Sequence, residues 1–474
     1  MKYESFSKAD FHLFIQAIIF GGCFILPLII ANYEYRDDVV RAVTGYPGWS
    51  MMGRPLADYL FKFVLAPGGA VYPSVLLLLL SLVCISVSCV FIKKSLKITG
   101  GILSYLSVLI IFFNPFLLQN YSYQYDSLPM SLGMCFATIA ASLNDKKWFL
   151  LAKCVLLSSA AAFYQPCINM FIGIFAFKIF LMLKDNKLLC MICYSIFKNV
   201  IVFSVSCIIY YFVWYVWFAE GHRDSINGGL ITNLLENNVY AFDHYIKPFL
   251  DKRMLVFILI PACFSIFSIS NLIRNNHFSY KKNGIILFLC FVALVFSLLG
   301  PFAFLSERPA GVRVILTIGI IVCFILHLID NLNMKMGVKF LIITPMLFLF
   351  FSKSFYYGAF LIKQKEYENA VLQHIVQQDI LTKFDEIFFY GSLGLSPSAK
   401  VIVKENPYII ALFGASENWI MKRKAYDIGL FNINKDWEGA YEDFCKNNCS
   451  LFYSNASYNI YSKFPYAAVV LKEK

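Results

Sequence analysis

A chain of 474 residues that is 59% hydrophobic, 18% aromatic and only 15% charged, with a mean hydropathy of +0.65, carries more apolar surface than soluble cores can absorb. That excludes a water-soluble enzyme and predicts an α-helical polytopic membrane protein. The formal net charge of +12 comes with no basic helix or stacking platform, so nucleic acid is not expected as a partner; the lysines mostly sit in short loops between apolar runs.

In chain order, the opening "MKYESFSKADFHLFIQAIIFGGCFILPLIIAN" has a long apolar span and no small-residue cleavage site, which predicts an uncleaved first membrane helix. Runs of about 20 apolar residues suffice to cross a bilayer. Eleven are read, at 11–31, 71–92, 98–118, 128–143, 148–163, 167–183, 199–218, 254–272, 284–304, 310–329 and 340–360. The segment 188–198, "LLCMICYSIFK", is open between an interfacial helix and the start of the seventh span.

Lysine-bearing loops at 93–97, 144–147, 184–187, 274–283 and 333–339 alternate with loops poorer in lysine, which places them in the cytoplasm together with the N-terminus. After an odd number of spans the C-terminal segment lies outside, which for a bacterial inner membrane means the periplasm. The outside loops, 32–70, 119–127, 164–166, 219–253 and 306–313, hold nearly all the arginines. From 364 onward the composition turns polar, and "EIFFYGSL", "PYIIALF", "SLFYSN" and "AAVVLK" read as strands of a small α/β domain. The expected division is therefore a transmembrane region 1–363, including the first outer loop 32–70, and a periplasmic domain 364–474. The 14 cysteines are scattered through apolar runs; only Cys445 and Cys449 lie together in a polar setting, a candidate disulfide that needs an oxidising compartment.

Four constellations on the outer side carry chemistry. Asp37 and Asp38 start a short helical segment that sets Arg41 against them, four and three residues on respectively. After Trp49, Gly53 and Pro55 open a second segment in which Arg54, Asp58 and Lys62 recur every fourth residue, opposite Leu56, Leu60, Phe61 and Val64; this reads as an amphipathic helix in the membrane interface, with a solvated charged face as the plain alternative. In "NYSYQYDS", Tyr121, Tyr123 and Tyr125 lead to Asp126; an aromatic belt accounts for the tyrosines but not for the acid. "FYQP" offers Tyr164 and Gln165, although Pro166 also suits the first turn of a helix. "SERPAGVR" holds Glu307, Arg308 and Arg313; guanidinium groups fit phosphate oxygens bidentately, while an ion pair of Glu307 with an arginine is the structural alternative. His222, Arg223, Asp224, Lys252 and Arg253 add further outer charge. Ionisable groups thus gather at one face rather than along a path through the bilayer, which disfavours a transporter. Together they supply carboxylates for proton abstraction, arginines for a phosphate and aromatics for a sugar face. No metal-ligand spacing is visible, so neither a metal nor another cofactor is expected.

The runs "YEYRDDVVRAVTGYPGWSMMGRPLADYL", "NYSYQYDSLPMSLG" and "AAFYQPCINMF" resemble the type II glucosyltransferases of bacteria and temperate phages, which add side-branch glucose to lipopolysaccharide O-antigen and belong to the GT-C class of polytopic enzymes. The likeness runs through "SERPAGVR" and implies serotype conversion: an inverting transfer from undecaprenyl-phosphate glucose to a lipid-linked O-antigen repeat, in concert with a donor synthase and a donor flippase. It implies Asp37 or Asp38 as the base, Asp37 preferred. Arg41, Arg54, Arg308 and Arg313 are implied as ligands of the departing lipid phosphate. Trp49, Asp58, Tyr125, Asp126, Tyr164, Gln165 and Glu307 are implied as acceptor or sugar contacts. A GT-C transferase for another sugar, an O-antigen ligase or polymerase, and a lipid-linked-sugar flippase or exporter remain alternatives; a flippase would need a continuous polar lining that these spans lack.

Overall fold

The computed structural model describes residues 7–65, 75–98, 102–219, 229–274, 280–332, 334–434 and 449–473. Nineteen helices are described: α1 (Lys8–Ala31), α2 (Asp37–Thr44), α3 (Pro55–Tyr59), α4 (Leu76–Ser95), α5 (Ile102–Phe112), α6 (Leu118–Ser122), α7 (Ser127–Ser142), α8 (Lys147–Phe163), α9 (Ile168–Lys184), α10 (Leu189–Ile209), α11 (Val216–Phe218), α12 (Leu230–Ala241), α13 (Lys252–Arg274), α14 (Tyr280–Phe296), α15 (Ile318–Asp330), α16 (Met336–Val376), α17 (Pro397–Glu405), α18 (Tyr408–Leu412) and α19 (Asn418–Asp427). Among the described residues six helical stretches are long and apolar enough to cross a membrane, and 127–142, 284–296 and 318–330 are shorter apolar helices.

The chain forms two compact units. The first takes in residues up to Leu26, the stretch from Pro47, and everything from α4 to Ser354; here α7 packs on α4, α8 and α9, and α15 on α5 and α13. Small residues let these backbones close up. Gly319 of α15 lies against the backbone of Ile111 in α5, where a Cβ would overlap it, and Gly133 of α7 lies against Cys167 and the Ala160 carbonyl.

The second unit takes in Pro27–Tyr46 and the chain from Phe355 onward. Its four-stranded sheet has the order β1 (Glu386–Tyr390), β6 (Tyr466–Leu471), β5 (Tyr458–Lys463), β4 (Ser450–Ser454), with β1 parallel to β6 and the remaining neighbours antiparallel; β2 (Ser392–Leu393) pairs with β3 (Ser416–Glu417). Register places Ile387 beside Ala467 and Phe389 beside Val469 on one face, which is buried against Leu372 and Ile375 of α16 and Met421 of α19.

Several expectations are corrected. The run 98–118 is not one span: α5 stops at Phe112, Asn114 caps the next turn by accepting from the Phe116 N–H, and Pro115 has no N–H to continue a helix. The run 284–304 leaves the α-helix after Phe296, and 310–329 enters it only at Ile318. Residues 188–198 form no separate interfacial helix; all but the first turn directly into α10. "PYIIALF" is helix α18 rather than a strand, because Tyr408, Ile409 and Leu412 bury one helical face and leave Ile410 exposed. Cys445 lies outside the described residues, as do His222, Arg223 and Asp224.

Gly319→Ala is expected to cost about 1–3 kcal/mol, since its obstacle is backbone that cannot rotate aside, whereas Gly284→Ala within α14, with nothing within 4 Å of a new Cβ, is expected to gain about 0.5–1 kcal/mol from helix propensity. Thermal midpoints of the two detergent-solubilised variants check this.

Candidate functional site

Three of the interruptions between the helices of the first unit lie at one place, and backbone groups freed there are met by side chains. Residues 299–317 are the longest interruption. Asn169 donates to the Leu299 carbonyl at 2.9 Å and Asn237 to Ala303 and Leu305 at 3.1 and 2.8 Å. Tyr245 donates to Pro309 and accepts from the Gly311 N–H at 3.0 Å. The Arg313 N–H donates to Gln119 at 2.8 Å, and its carbonyl accepts from Asn120 at 3.1 Å and from Tyr164 at 3.0 Å. Gly311 has φ of +102° and faces the Gln119 amide, so no other residue fits there without strain.

The second interruption is the turn from Trp49 to Arg54. Asp58 in α3 accepts from the backbone N–H of Trp49 at 3.2 Å and of Ser50 at 2.5 Å, and the Trp49 indole N–H donates to Asp126. Trp49 also lies on Phe61 at 4.7 Å between ring centroids, with Phe61 on Tyr125 beneath at 6.0 Å. Gly53, at φ +72°, is met by Tyr210, which donates to its carbonyl at 2.9 Å; a Cβ there would press on the Tyr210 hydroxyl and the Tyr215 ring.

The third interruption, between α8 and α9, presents Tyr164 and Gln165. Gln165 accepts from Arg54 Nε at 2.9 Å and donates to the Met52 carbonyl at 2.7 Å and to Tyr210 at 3.1 Å. The Arg54 guanidinium lies 4.7 Å over the Tyr164 ring, Arg313 lies 4.7 Å over Tyr123, and Arg308 lies 4.8 Å over Tyr240. Burial pushes the Tyr164 hydroxyl up to about 12 against the opposing pull of Arg313 and Arg54, so it stays a neutral donor.

These interruptions converge on one cleft of about 230 Å³ whose lining includes Arg54, Tyr164, Gln165, Glu307, Arg308 and Arg313. Gln165, Tyr215, Phe302 and Leu305 also line a neighbouring cavity of about 240 Å³ walled by Leu157, Ala161, Ile168 and Tyr211. A basic cleft thus opens beside an apolar cavity. Of the sequence candidates, Arg54, Tyr164, Gln165, Glu307, Arg308 and Arg313 line the cleft. Trp49, Asp58, Tyr125 and Asp126 are buried and do not; they shape the turn that presents Arg54. The Arg54, Asp58, Lys62 stripe is not one helical face. Arg54 precedes α3, Asp58 turns inward, and the backbone widens to a π-helix over Leu60–Leu65, leaving Lys62 exposed. Glu307 is exposed and, among the described residues, makes no ion pair. Tyr123, Tyr240 and Tyr245 were missed as arginine and loop supports, since nothing in their spacing pairs them with residues so far along the chain.

The second unit carries the acid pair. Asp37 and Asp38 occupy the first turn of α2, where a helix N-terminus favours negative charge. Asp38 is fully buried and faces Arg41 at 3.7 Å, itself 3% exposed, whereas Asp37 is half-buried and, among the described residues, has no ion pair. Tyr33, just before α2, donates to Glu368 at 2.9 Å. Glu368 is fully buried and also takes Ser416, Gln364 at 3.2 Å and Lys424 at 2.9 Å. Among the described residues no group of three or more His, Cys, Asp or Glu side chains assembles as a metal-ligand set.

The first unit is therefore a bundle of membrane-length apolar helices that presents a basic, aromatic-walled cleft. The model of the glucosyl transferase GtrII family matches residues 26–324, which is more than half of the chain, and the chain belongs to that family. It is also similar to an uncharacterised 55.3 kDa protein in the gtrB 5′ region of Salmonella phage P22, with 27% identity over 223 residues, 46% of this chain and 44% of the relative. The chain thus matches less than half the length of that relative. No solved structure matches.

Glu34, next to Tyr33, has its carboxyl raised above the usual range, by burial first and by Asp427, against Lys424 and Lys365. A raised acid contributes stability that is present below about pH 4.3, its unfolded value, and is lost as pH climbs through the folded value. Glu34→Gln is expected to raise the thermal midpoint at pH 7 and to leave it unchanged near pH 4, read from paired melts.

Proposed function

We propose that the chain is an integral-membrane glucosyltransferase that moves glucose from undecaprenyl phosphate to O-antigen repeat units at the periplasmic face of a bacterial inner membrane, with inversion. The observation that carries this reading is the cleft lined by Arg54, Arg308 and Arg313 beside an apolar cavity, the pairing that a lipid phosphate requires: guanidinium donors for the phosphate and an apolar wall for the isoprenyl chain. Family membership supports glucose as the sugar. The N-terminus is cytoplasmic in this reading and the C-terminal α/β region periplasmic, with a donor synthase and a donor flippase supplying the lipid-linked sugar.

In the transfer, an acceptor hydroxyl oxygen bonds to the anomeric carbon as the bond from that carbon to the phosphate oxygen breaks. The hydroxyl proton passes to the Asp37 carboxylate, and the lipid phosphate leaves with the electron pair, its charge met by the arginines. Asp37 suits the base because it is the less buried of the pair, while Asp38 and Arg41 fix its helix. Tyr164 and Gln165 suit the sugar face, being at the cleft wall.

Expression in a strain of known O-antigen followed by polysaccharide structure determination tests the reading: a new glucosyl branch is expected, and a different sugar or altered chain length overturns it. Asp37→Asn is expected to lower transfer by about 10²–10⁴-fold with the protein still membrane-inserted, and Asp38→Asn to lower it as well. Full activity in both variants removes the base assignment. Arg308→Gln and Arg313→Gln are each expected to raise the donor KM roughly 10- to 100-fold, the equivalent of about 1.5–3 kcal/mol for a charged hydrogen bond, with the acceptor KM unchanged.

A further inference from the structure

Immediately before the acid pair, Arg36 has φ of +46° and ψ of −107°, a backbone region that a residue with a side chain occupies only when its surroundings impose it. The surroundings here are one short stretch of the second unit. The Arg36 guanidinium lies on Gly414, leaving no room for a Cβ, and reaches Glu417 at 3.4 Å; it stands 5.7 Å over the Trp419 ring. One residue earlier, the Tyr35 hydroxyl donates to the Leu412 carbonyl, and the Tyr35 ring meets Phe413 edge-on at 6.5 Å. Consecutive side chains, Tyr35 and Arg36, are thus both held by the 412–419 stretch, and helix α2 starts at the next residue with Asp37 in its first turn.

We propose that the 412–419 stretch is a clamp that positions the acid pair: by holding Arg36 in its strained conformation it sets the entry direction of α2 and so the aim of the Asp37 carboxylate, with Arg36 and Gly414 as positioning residues for the transfer. The inference rests on the reading of Asp37 as the acceptor's base. A fold requirement alone would not ask for arginine here. Glycine occupies positive φ without strain, so a merely structural turn would be served as well or better by it. The arginine makes sense where the guanidinium anchor is needed more than the strain costs.

Arg36→Gly and Gly414→Ala separate the two accounts. Each is compared with wild type and with Asp37→Asn in membranes, using undecaprenyl-phosphate glucose as donor and the host's undecaprenyl-linked O-antigen repeat as acceptor. Arg36→Gly is expected to accumulate at wild-type level yet turn over about 10²-fold more slowly, the cost of misplacing a reacting group by about 1 Å, with both KM values unchanged. Gly414→Ala, which displaces the guanidinium from the opposite side, is expected to show the same loss in kcat. Wild-type turnover in Arg36→Gly with Asp37→Asn inactive overturns the clamp and leaves the base in place. Full activity in Asp37→Asn overturns the base reading itself. A rise in KM at constant kcat makes Arg36 a binding group, and failure of Arg36→Gly to accumulate makes the contact a determinant of folding; either result overturns the clamp. If Gly414→Ala alone fails to accumulate, Arg36→Gly decides.

Discussion

Where a break in a helix is buried, its backbone has no water to fall back on, so it must be answered by another group of the protein. That constraint explains why asparagine, glutamine and tyrosine are buried among the helices of the first unit. Asn169, Asn237, Tyr245, Gln119, Asn120 and Tyr164 each direct a hydrogen bond to the stretch from Leu299 to Arg313, which lies outside the α-helices. With its peptide groups satisfied, the stretch can end its course by turning Arg308 and Arg313 to the cleft rather than into the helix ladder. The turn at Trp49–Arg54 follows the same logic: Asp58 takes its N–H groups and Tyr210 its Gly53 carbonyl, freeing the Arg54 side chain for Gln165. Irregular backbone and basic cleft therefore go together: Arg54, Arg308 and Arg313 all reach the cleft wall from chain that lies outside the α-helices.

Stacking on tyrosine serves these arginines in a second way. A guanidinium resting on an aromatic face keeps its in-plane N–H donors available while part of its charge is balanced by the ring. Arg54, Arg308 and Arg313 each have such a ring, Tyr164, Tyr240 and Tyr123.

Much of this was legible in the sequence, and the limit has a physical form. The helix over Asp37–Thr44 and the pairing of Asp38 with Arg41 follow from spacing along one element, and outside arginines stand out against the usual placement of positive charge. Contacts between distant residues leave no such trace. Trp49 and Asp126 are 77 positions apart, and Tyr35 and Leu412 are 377 apart. Asp126 looked like a sugar ligand because it was an acid at the top of a span; its partner, an indole N–H in another loop, gives it a different reason to be there. Short apolar runs were ambiguous for another reason: "PYIIALF" has the length of a strand, and only the burial of Tyr408, Ile409 and Leu412 on one face reveals a helix. Strand β5 was missed because its outward residues are polar and only Tyr458 and Ile460 face inward.

The second unit shows why a sequence match can cover the segment with the acid pair and still omit what holds it. The family match spans 26–324, which includes Asp37, Asp38 and all the cleft arginines. Glu368, Gly414, Glu417 and Lys424 lie beyond it, yet Tyr33 and Arg36, inside the match, spend their side chains on them. Glu368 is buried with no exposure, and a charge at that depth is tolerated only while its donors stay in place. It gathers Tyr33, Gln364, Ser416 and Lys424, which come from the first segment of the unit, from α16, from β3 and from α19. Displacing any one of these elements would leave the carboxylate short of donors, so the segment leading to the acid pair and the C-terminal α/β region hold their positions as one piece. The two stretches of chain are far apart in sequence and form one compact unit, in which the first is held by side chains that the second supplies.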